Sequence, residues 1–272
     1  MTKNQLHKII YTHYRAHRRD FPWRNTTDPY CIFVSEVMLQ QTQAERVVPK
    51  YEAFIKKFPS FKKLATAQTR DVLSAWQGLG YNRRALALQK SAQAITENYQ
   101  GKLPSDPLAL DALPGIGVHT AGSIAAFAYN YPSVFIETNI RSVFIHFFFS
   151  DRDDVTDKEL MPLVEKMLDQ DNPREWYFAL MDYGVMLKKT LRNPSRRSKH
   201  HTKQSKFIGS RRQVRGQILK LLLAHPKGLT LATIKKQIGD SEYDINEVIG
   251  ELYQERFIVK SESKWIIAQR AS

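Results

Sequence analysis

Apolar residues recur along most of the chain at helical spacing. Tyr51, Phe54, Ile55 and Phe58 fall at i, i+3, i+4 and i+7, which places them on one face of a helix that Pro59 would end. Similar patterns, separated by turns with glycine or proline, predict helices over 71–77, 83–98, 119–128, 140–149, 157–169 and 174–187. Because no alternating strand pattern occurs before residue 255, the sequence predicts a mainly α-helical core.

The C-terminal sixty residues carry a different pattern. Helices are predicted over 212–224, 229–238 (with Thr230 as N-cap) and 244–255. A short hairpin follows, over 257–260 and 264–267. Three helices followed by a hairpin predict a winged-helix-like α+β module over 211–272. Its third helix is acidic, which favours a packing or protein-partner role over reading of the DNA major groove.

Charge is concentrated in one segment. The 272 residues suit one or two domains and carry a net charge of +14, which predicts a nucleic-acid partner. Residues 188–215 hold eleven Lys or Arg and no Asp or Glu, so the rest of the chain carries only +3. We therefore expect a domain over 1–190 and a basic linker over 191–210, extended or partly disordered when free, that binds the DNA backbone.

Several classes of protein and cofactor are excluded by composition. Cys31 is the single cysteine, so neither a disulfide nor a zinc or iron–sulfur site built from cysteines can form, and no cofactor is expected. No apolar run approaches the ~18 residues of a membrane span, and the N-terminus lacks a signal-peptide pattern. We expect no membrane contact, and a monomer located in the cytoplasm with the nucleoid.

Two segments carry candidate chemistry. In the first, residues 113–122, a proline and two glycines open into a helix. Backbone N–H groups at Gly115, Gly117 and Val118 could then hold a phosphate. The alternative is an ordinary connection between two helices.

The second segment is residues 29–43. Glu36 lies among apolar residues there, which would raise its pKa and suit a general acid, although a solvated helix face is the alternative. The side-chain amides of Gln40 and Gln41 can pair with base edges.

Together with other motifs, these segments resemble the helix-hairpin-helix (HhH-GPD) DNA glycosylases, and within them the MutY-like adenine-DNA glycosylases. The resemblance runs from about Phe21 to Leu187. It rests on PWR at 22–24, VSEVMLQQTQ at 34–43, WQGLGY at 76–81, LPGIG at 113–117, Asn139 with Arg141, and MDYG at 181–184. It implies two helical lobes with the substrate cleft between them.

The resemblance also implies roles for individual residues. Glu36 matches the general acid that protonates the adenine, and Glu137 falls where the family has an aspartate that stabilises the oxocarbenium ion. Tyr81 matches an aromatic residue that wedges into the base stack, and Gln40 matches a residue inserted near the vacated base position. Arg24, Gln40 and Gln41 would line the pocket or read the opposite base, with Asn139 beside them, and the target base would be flipped out of the duplex.

The sequence departs from the family pattern in four ways. Glutamate replaces aspartate at 137. His119 stands where bifunctional members have a Schiff-base lysine, which predicts no lyase activity, and it would either line the pocket or contact the base. The four-cysteine cluster is absent, and a basic run that could grip phosphates stands there instead: Lys188, Lys189, Arg192, Arg196 and Arg197. The usual C-terminal domain that recognises 8-oxoguanine is also missing.

These observations leave three interpretations of the function open. The first is a monofunctional glycosylase that removes adenine paired with 8-oxoguanine or guanine in double-stranded DNA. The second is a glycosylase of the same fold for uracil, thymine or hypoxanthine. The third is a non-catalytic DNA-binding protein. The family resemblance further implies no metal except a monovalent cation bound by the backbone at 113–118.

Overall fold

The structure is a computed structural model that describes residues 1–202 and 206–269. Its first eleven helices are α1 Lys3–His17, α2 Pro29–Leu39, α3 Ala44–Lys57, α4 Phe61–Ala65, α5 Thr69–Trp76, α6 Arg83–Asn98, α7 Pro107–Asp111, α8 Val118–Tyr129, α9 Thr138–Phe148, α10 Asp157–Met167 and α11 Pro173–Thr190. The C-terminal elements are α12 Arg211–Ala224, β1 Leu229–Thr230, α13 Leu231–Ile238, α14 Ile245–Gln254, β2 Ile258–Ser261 and β3 Lys264–Ile267. Short 3-10 turns cover Pro22–Arg24 and Pro194–Arg197.

Most of the predicted helices are confirmed. The helix that carries Tyr51 and Phe54 is α3, and its last turn ends at Phe58 just before Pro59. Helix α1 was not predicted, although Thr2 and Gln5 form a capping box at its start. Three of its residues, Leu6, Ile10 and Tyr14, are buried at helical spacing, so the signal is a short stripe among many polar residues.

The chain divides into two compact units whose limits differ from the predicted domains. Unit 1 contains residues 1–36 and 103–202, and unit 2 contains residues 37–102 and 206–269. The C-terminal module therefore belongs to the same unit as helices α3 to α6, instead of following a separate core.

Unit 1 is built around α11. This helix buries residues on more than one side, including Trp176, Tyr177 and Leu180, against apolar residues of α1, α8, α9 and α10. At Gly184 a β-carbon would lie 2.5 Å from the carbonyl oxygen of Asn139, so only glycine permits the observed approach of α11 and α9.

The predicted linker is only partly a linker. Residues 191–202 pack on unit 1, where Pro194, Ser195 and Ser198 are buried. The Val155 amide donates to the Arg197 carbonyl at 3.0 Å, and the Lys199 amide donates to the Val155 carbonyl at 3.0 Å. The expectation of an extended segment was therefore wrong here, because uncharged residues between the cations provide the buried contacts. Residues 203–205 of the predicted linker lie outside the described residues.

In unit 2 the C-terminal elements follow the predicted order. Thr230 caps α13 as predicted, accepting from the Thr233 amide at 3.2 Å. Strands β1, β3 and β2 form an antiparallel sheet in that order, with Leu229 opposite Trp265 and Lys260 opposite Trp265 on its other side. The two-residue β1 was not predicted as a strand, because it is too short to show alternation.

Candidate active site

Helix α2 places Glu36 in apolar surroundings. Asp28 lies just before this helix and accepts from the amides of Tyr30 and Cys31 at 2.8 and 3.0 Å, which stabilises the helix start. The neighbouring Phe33, Val34 and Val37 are buried, so the helix is apolar on nearly every side and Glu36 is only partly exposed. A carboxyl group in this position loses most of its hydration.

The pKa of Glu36 is raised to about 7. Burial is the main cause, and the negative charge of Glu137 adds to it, while a hydrogen bond from Ser123 and the charge of Arg24 oppose it. Glu36 can therefore hold its proton close to neutral pH. This matches the chemical property that the sequence predicted for a general acid.

Ser123, which the sequence did not single out, connects Glu36 to the backbone. Its Oγ lies 2.6 Å from Oε2 of Glu36 and 3.0 Å from the carbonyl oxygen of Thr120. A hydroxyl has only one proton to donate. When the hydroxyl donates to Oε2 of Glu36, this bond stabilises the ionised carboxylate and opposes the increase in the Glu36 pKa that burial causes.

Glu137 is the N-cap of α9. Its Oε1 accepts from the amides of Asn139 and Ile140 at 2.8 and 3.0 Å, and its Oε2 accepts from Asn139 Nδ2 at 3.0 Å. Three N–H donors and the helix N-terminus all stabilise a negative charge. The longer glutamate side chain folds back on its own helix, which takes up the extra methylene.

Lys188 extends this network. Its Nζ donates to Asn139 Oδ1 at 2.7 Å, and Asn139 in turn donates to Glu137. Burial lowers the pKa of Lys188, and the charge of Glu137 opposes that decrease. The sequence assigned Lys188 to a phosphate grip and Asn139 to DNA reading. Both side chains instead contact the Glu137 network here, so those roles remain predictions that need a rearrangement on binding.

Two motifs of the family pattern meet at a buried ion pair. The carboxylate of Asp182, in MDYG, accepts from Arg24, in PWR, through two hydrogen bonds of 2.8 and 2.9 Å, and from Arg19 Nε at 2.6 Å. Burial alone would raise the pKa of Asp182, but the bonds and charges of the two arginines hold it below its usual range. Since the Arg24 side chain is only 5% exposed, a base contact would require it to leave Asp182, and the structure favours a scaffold role.

The predicted hairpin joins α7 to α8. Gly115 has a φ of +75°, a conformation that favours glycine, and Gly117 is the N-cap of α8. Val118 is exposed in the first turn of that helix. His119 is exposed too, and its Nδ1 accepts from the Ile136 amide at 3.4 Å. The backbone geometry is compatible with the predicted phosphate contact.

The other residues of the basic run differ in exposure. Lys189, Arg192 and Arg196 are exposed. Arg197 is half-buried and donates to the carbonyl oxygens of Phe149 and Ser150. The exposed members keep the predicted backbone-binding role as a prediction, whereas Arg197 also has a structural role.

In unit 2, Gln40, Gln41 and Tyr81 lie in two loops that the sequence did not connect. The guanidinium of Arg84 holds both loops, because it donates to the carbonyl oxygens of Val37, Met38, Gln40, Leu79 and Gly80 and to the Thr42 hydroxyl. Burial lowers the pKa of Arg84 to about 10. Sequence reasoning missed Arg84 because an arginine after GLGY has no local signature of a buried position.

Among residues 1–202 and 206–269, no three His, Cys, Asp or Glu side chains cluster closely enough to hold a metal ion. The single cysteine cannot support the four-thiolate cluster that the fold family implies, and cations occupy that stretch of the sequence. In the same part of the chain no helix has the length and apolar character needed to cross a bilayer.

The part of the chain that contains the candidate site matches a family model. The model of the HhH-GPD superfamily of base excision DNA repair proteins matches residues 34–170, and the chain belongs to this superfamily. This match covers both candidate catalytic carboxyls, the two loops of unit 2 and the hairpin. The family expectation from the sequence is therefore confirmed.

Curated relatives point in the same direction. An adenine DNA glycosylase of Buchnera aphidicola subsp. Baizongia pistaciae is 32% identical over 183 residues, which cover 66% of this chain and 51% of the relative. The adenine DNA glycosylase of Mycobacterium tuberculosis is 42% identical over 131 residues, 48% of this chain and 43% of the relative. The chain spans about half the length of the curated relatives it matches.

Solved structures confirm the predicted helix-hairpin-helix glycosylase fold, while the winged-helix module stays a prediction. A thermostable thymine-DNA glycosylase superposes with a TM-score of 0.60 at 26% identity, covering 67% of this chain and 88% of that chain. Endonuclease III in a non-covalent complex with DNA shares the fold at 19% identity, with a TM-score of 0.53 and coverage of 69% and 86%. The described residues are mostly helical, with one small sheet in the C-terminal module.

Proposed function

We propose that this protein is a monofunctional DNA glycosylase that hydrolyses the N-glycosidic bond of a flipped adenine paired with 8-oxoguanine or guanine. One observation carries the proposal: a carboxyl that keeps its proton near neutral pH lies within electrostatic reach of a carboxylate held by three N–H donors. One proton donor and one fixed negative charge are what this hydrolysis requires.

The proposed reaction divides the work between the two groups. Glu36 donates its proton to a ring nitrogen of the adenine, and the bond from the base to C1′ of the sugar breaks with its electron pair leaving on the base. The negative charge of Glu137 stabilises the positive sugar that forms. Water then adds to C1′ and loses a proton, which completes the hydrolysis and leaves an abasic site.

The choice of adenine rests on the curated relatives, several of which are adenine DNA glycosylases. A second candidate is removal of thymine or another base from a mismatch. Two observations favour it: the structural similarity to a thymine-DNA glycosylase, and the glutamate at 137 in place of the family aspartate. Both candidates use the same two carboxyls.

The absence of lyase activity is proposed from His119. A lyase step needs an amine that forms a Schiff base with the sugar, and an imidazole cannot form one. The contact of His119 Nδ1 with the Ile136 amide gives the imidazole a structural partner within unit 1.

The C-terminal module is proposed to be a winged helix. The order of helices and strands from α12 to β3, with its three-stranded antiparallel sheet, supports this assignment. The acidic side chains of α14 have partners within unit 2: Glu247 and Glu251 pair with Arg211, and Glu251 also pairs with Arg215. This supports a packing role for α14 over insertion into a DNA groove.

The test is base release from a panel of labelled duplexes at moderate salt, with the free base identified by chromatography. The panel holds adenine opposite 8-oxoguanine and guanine, uracil and thymine opposite guanine, and hypoxanthine opposite thymine. We expect adenine release, lowered by about 10²- to 10⁴-fold in Glu36→Gln. Glu97→Gln, the same change at an exposed position of α6, is the control and should keep full activity.

Each outcome of the panel decides between the readings. Glu36-dependent release of a different base would replace adenine as the substrate. If no duplex loses a base while DNA binding persists, the chain is a DNA-binding protein without glycosylase activity.

A further inference from the structure

A cationic cleft in unit 2 is shared by the family core and the C-terminal module. It has a volume of about 1380 Å³, and it is lined by residues 40–43, residues 77–84 and one face of α12. Eight lysine or arginine residues and one glutamate line it among the described residues. Small-molecule pockets usually measure about 300–1,000 Å³. The size and charge of this cleft therefore fit a segment of a polyanion better than a small metabolite.

The two loops that line the cleft are held in an unusual conformation. Gln41 and Tyr81 have φ values of +54° and +46°, in the left-handed region that non-glycine residues rarely adopt. This conformation is unfavourable for a residue with a β-carbon, and it persists where the surrounding structure stabilises it. Arg84 stabilises this conformation, because its guanidinium donates hydrogen bonds to carbonyl oxygens of both loops. The loops are thus built to present an amide and an aromatic ring.

Helix α12 reaches Tyr81 directly. The guanidinium of Arg212 donates to the Tyr81 hydroxyl at 2.5 Å, and its central carbon lies 5.2 Å from the centre of the ring. The Arg84 guanidinium lies 5.6 Å from the same ring centre. The C-terminal module therefore contributes a cation, Arg212, that contacts the Tyr81 ring and hydroxyl.

The cations of the cleft fall into two groups. Arg83, Arg211 and Arg215 form ion pairs with the acidic side chains of α14 and its C-cap residue Glu255. The Arg83–Glu255 pair joins the module to the core, whereas the pairs of Arg211 and Arg215 lie within the module. By contrast, Arg46 and Lys220 are exposed and Lys50 is half-buried, and none of these three pairs with a carboxylate of the described residues. Arg46 also donates to the Gly78 carbonyl oxygen, but that contact leaves its charge without a counter-charge, so all three cations can interact with phosphates.

We propose that α12 of the C-terminal module forms one wall of the duplex-DNA site at this cleft, and that Arg212 is a positioning residue for Tyr81. Exposed cations neutralise phosphates, while an aromatic ring and amides meet bases, and the cleft combines these groups. Which base pair Tyr81 meets rests on the proposed function, whereas the DNA contact of α12 does not.

The test uses the full chain with Glu36→Gln, so that bound DNA is not processed, and follows binding by fluorescence anisotropy. Arg212→Ala should weaken DNA binding by about fivefold to tenfold, because Tyr81 loses its orientation. Lys236→Ala, which removes an exposed cation of α13 outside the cleft, is the matched control and should change the affinity much less.

A double-mutant cycle separates positioning from charge. Tyr81→Phe, which removes only the hydroxyl, should weaken binding in the presence of Arg212 and have little further effect in Arg212→Ala. A 2-aminopurine beside the mismatch should brighten when DNA binds the Glu36→Gln chain, and should brighten less with Arg212→Ala. Arg212→Lys should recover affinity lost through charge, but only part of the 2-aminopurine signal, because the ammonium lacks the planar guanidinium.

Equal effects of Arg212→Ala and Lys236→Ala on affinity, with an unchanged 2-aminopurine signal, would overturn the proposal. This result is independent of the proposed chemistry, since no base release is measured. If Arg212→Ala leaves DNA binding unchanged while the unchanged chain still releases a base, only the proposal for the cleft is contradicted. If Arg212→Ala weakens DNA binding while the unchanged chain releases no base, only the glycosylase proposal is contradicted.

Discussion

The charged groups of the candidate site in unit 1 and those of the cleft in unit 2 differ in burial and in their partners. In unit 1 the charged and titratable groups of the site are largely buried, and each has a few specific partners: Asp182 with two arginines, Glu137 with three N–H donors, Glu36 with Ser123. In unit 2 the cleft holds many cations at its surface, several of them exposed.

The difference shows what each region can do. Burial raises the cost of an unpaired charge and shifts pKa values, which suits proton transfer and stabilisation of a charged intermediate. Exposed cations keep their usual charge, interact weakly one at a time, and add up along a DNA backbone. Single substitutions should therefore have large effects at the buried groups of unit 1, and small, additive effects at the exposed cations of unit 2 that have no acidic partner.

The largest effect is expected at the buried ion pair. Asp182→Asn leaves the Arg24 guanidinium without a full counter-charge, which should lower the free energy of unfolding by about 3–5 kcal/mol. Lys57→Gln, in the exposed Lys57–Asp71 pair of unit 2, is the control and should cost less than about 1 kcal/mol. Urea denaturation followed by tryptophan fluorescence measures both. Equal costs would show that burial does not separate the two units in this way.

The next effect concerns the charge of Glu137. Glu137→Gln keeps an oxygen that can cap α9 but removes the negative charge, so base release should slow by about 100-fold with little loss of stability. Glu137→Asp keeps the charge in a residue that is a favoured N-cap, and should stay within about tenfold of the original rate. Single-turnover kinetics and thermal melting of both variants measure this. A Glu137→Gln variant with the original rate would remove Glu137 from the chemistry.

A smaller, additive effect is expected from the cleft cations. Lys50→Ala and Lys220→Ala should each reduce the slope of the logarithm of the DNA association constant against the logarithm of salt concentration by about 0.9. The double variant should show roughly the sum. Binding titrations at several salt concentrations give the slopes, with Lys236→Ala as the unchanged reference. Unaltered slopes in all three variants would place the DNA elsewhere.

The smallest effect is a shift in pH dependence caused by Ser123. Its hydroxyl bond lowers the pKa of Glu36, because the bond to an ionised carboxylate is the stronger one. Ser123→Ala should therefore move the midpoint of the pH dependence of base release upwards from about 7. Single-turnover rates across the pH range, compared with the unchanged chain, show the shift. A midpoint that moves downwards would mean that Ser123 stabilises the protonated acid instead.

The sequence was most informative where a property is local. The spacing of apolar residues located α3 and α6, Thr230 marked a helix start, and the apolar neighbours of Glu36 predicted its raised pKa. These features depend on residues within a few positions of one another, so a single sequence records them.

Contacts between distant segments could not be read in this way. Asp182 and Arg24 are 158 positions apart and Arg212 and Tyr81 are 131 apart, so no spacing rule connects them. The many charges of the basic run gave no sign that Pro194 and Ser195 are buried. They also gave no sign that the Lys188 side chain donates a hydrogen bond to Asn139. Charge predicted the kind of partner, but it could not say which cations face solvent.

Glu36 is proposed to act as a protonated acid in unit 1. Its protonation can be followed through the single-turnover rate of base release by the unchanged chain between about pH 5.5 and pH 9, on the duplex that the panel identifies. Because the pKa of Glu36 is raised to about 7, the active protonated form is retained up to that pH and lost above it. We expect a plateau below about pH 7 and a fall of about tenfold per pH unit well above it. A rate that stays constant, or rises, from about pH 6 to pH 9 would contradict the assignment of Glu36 as the acid.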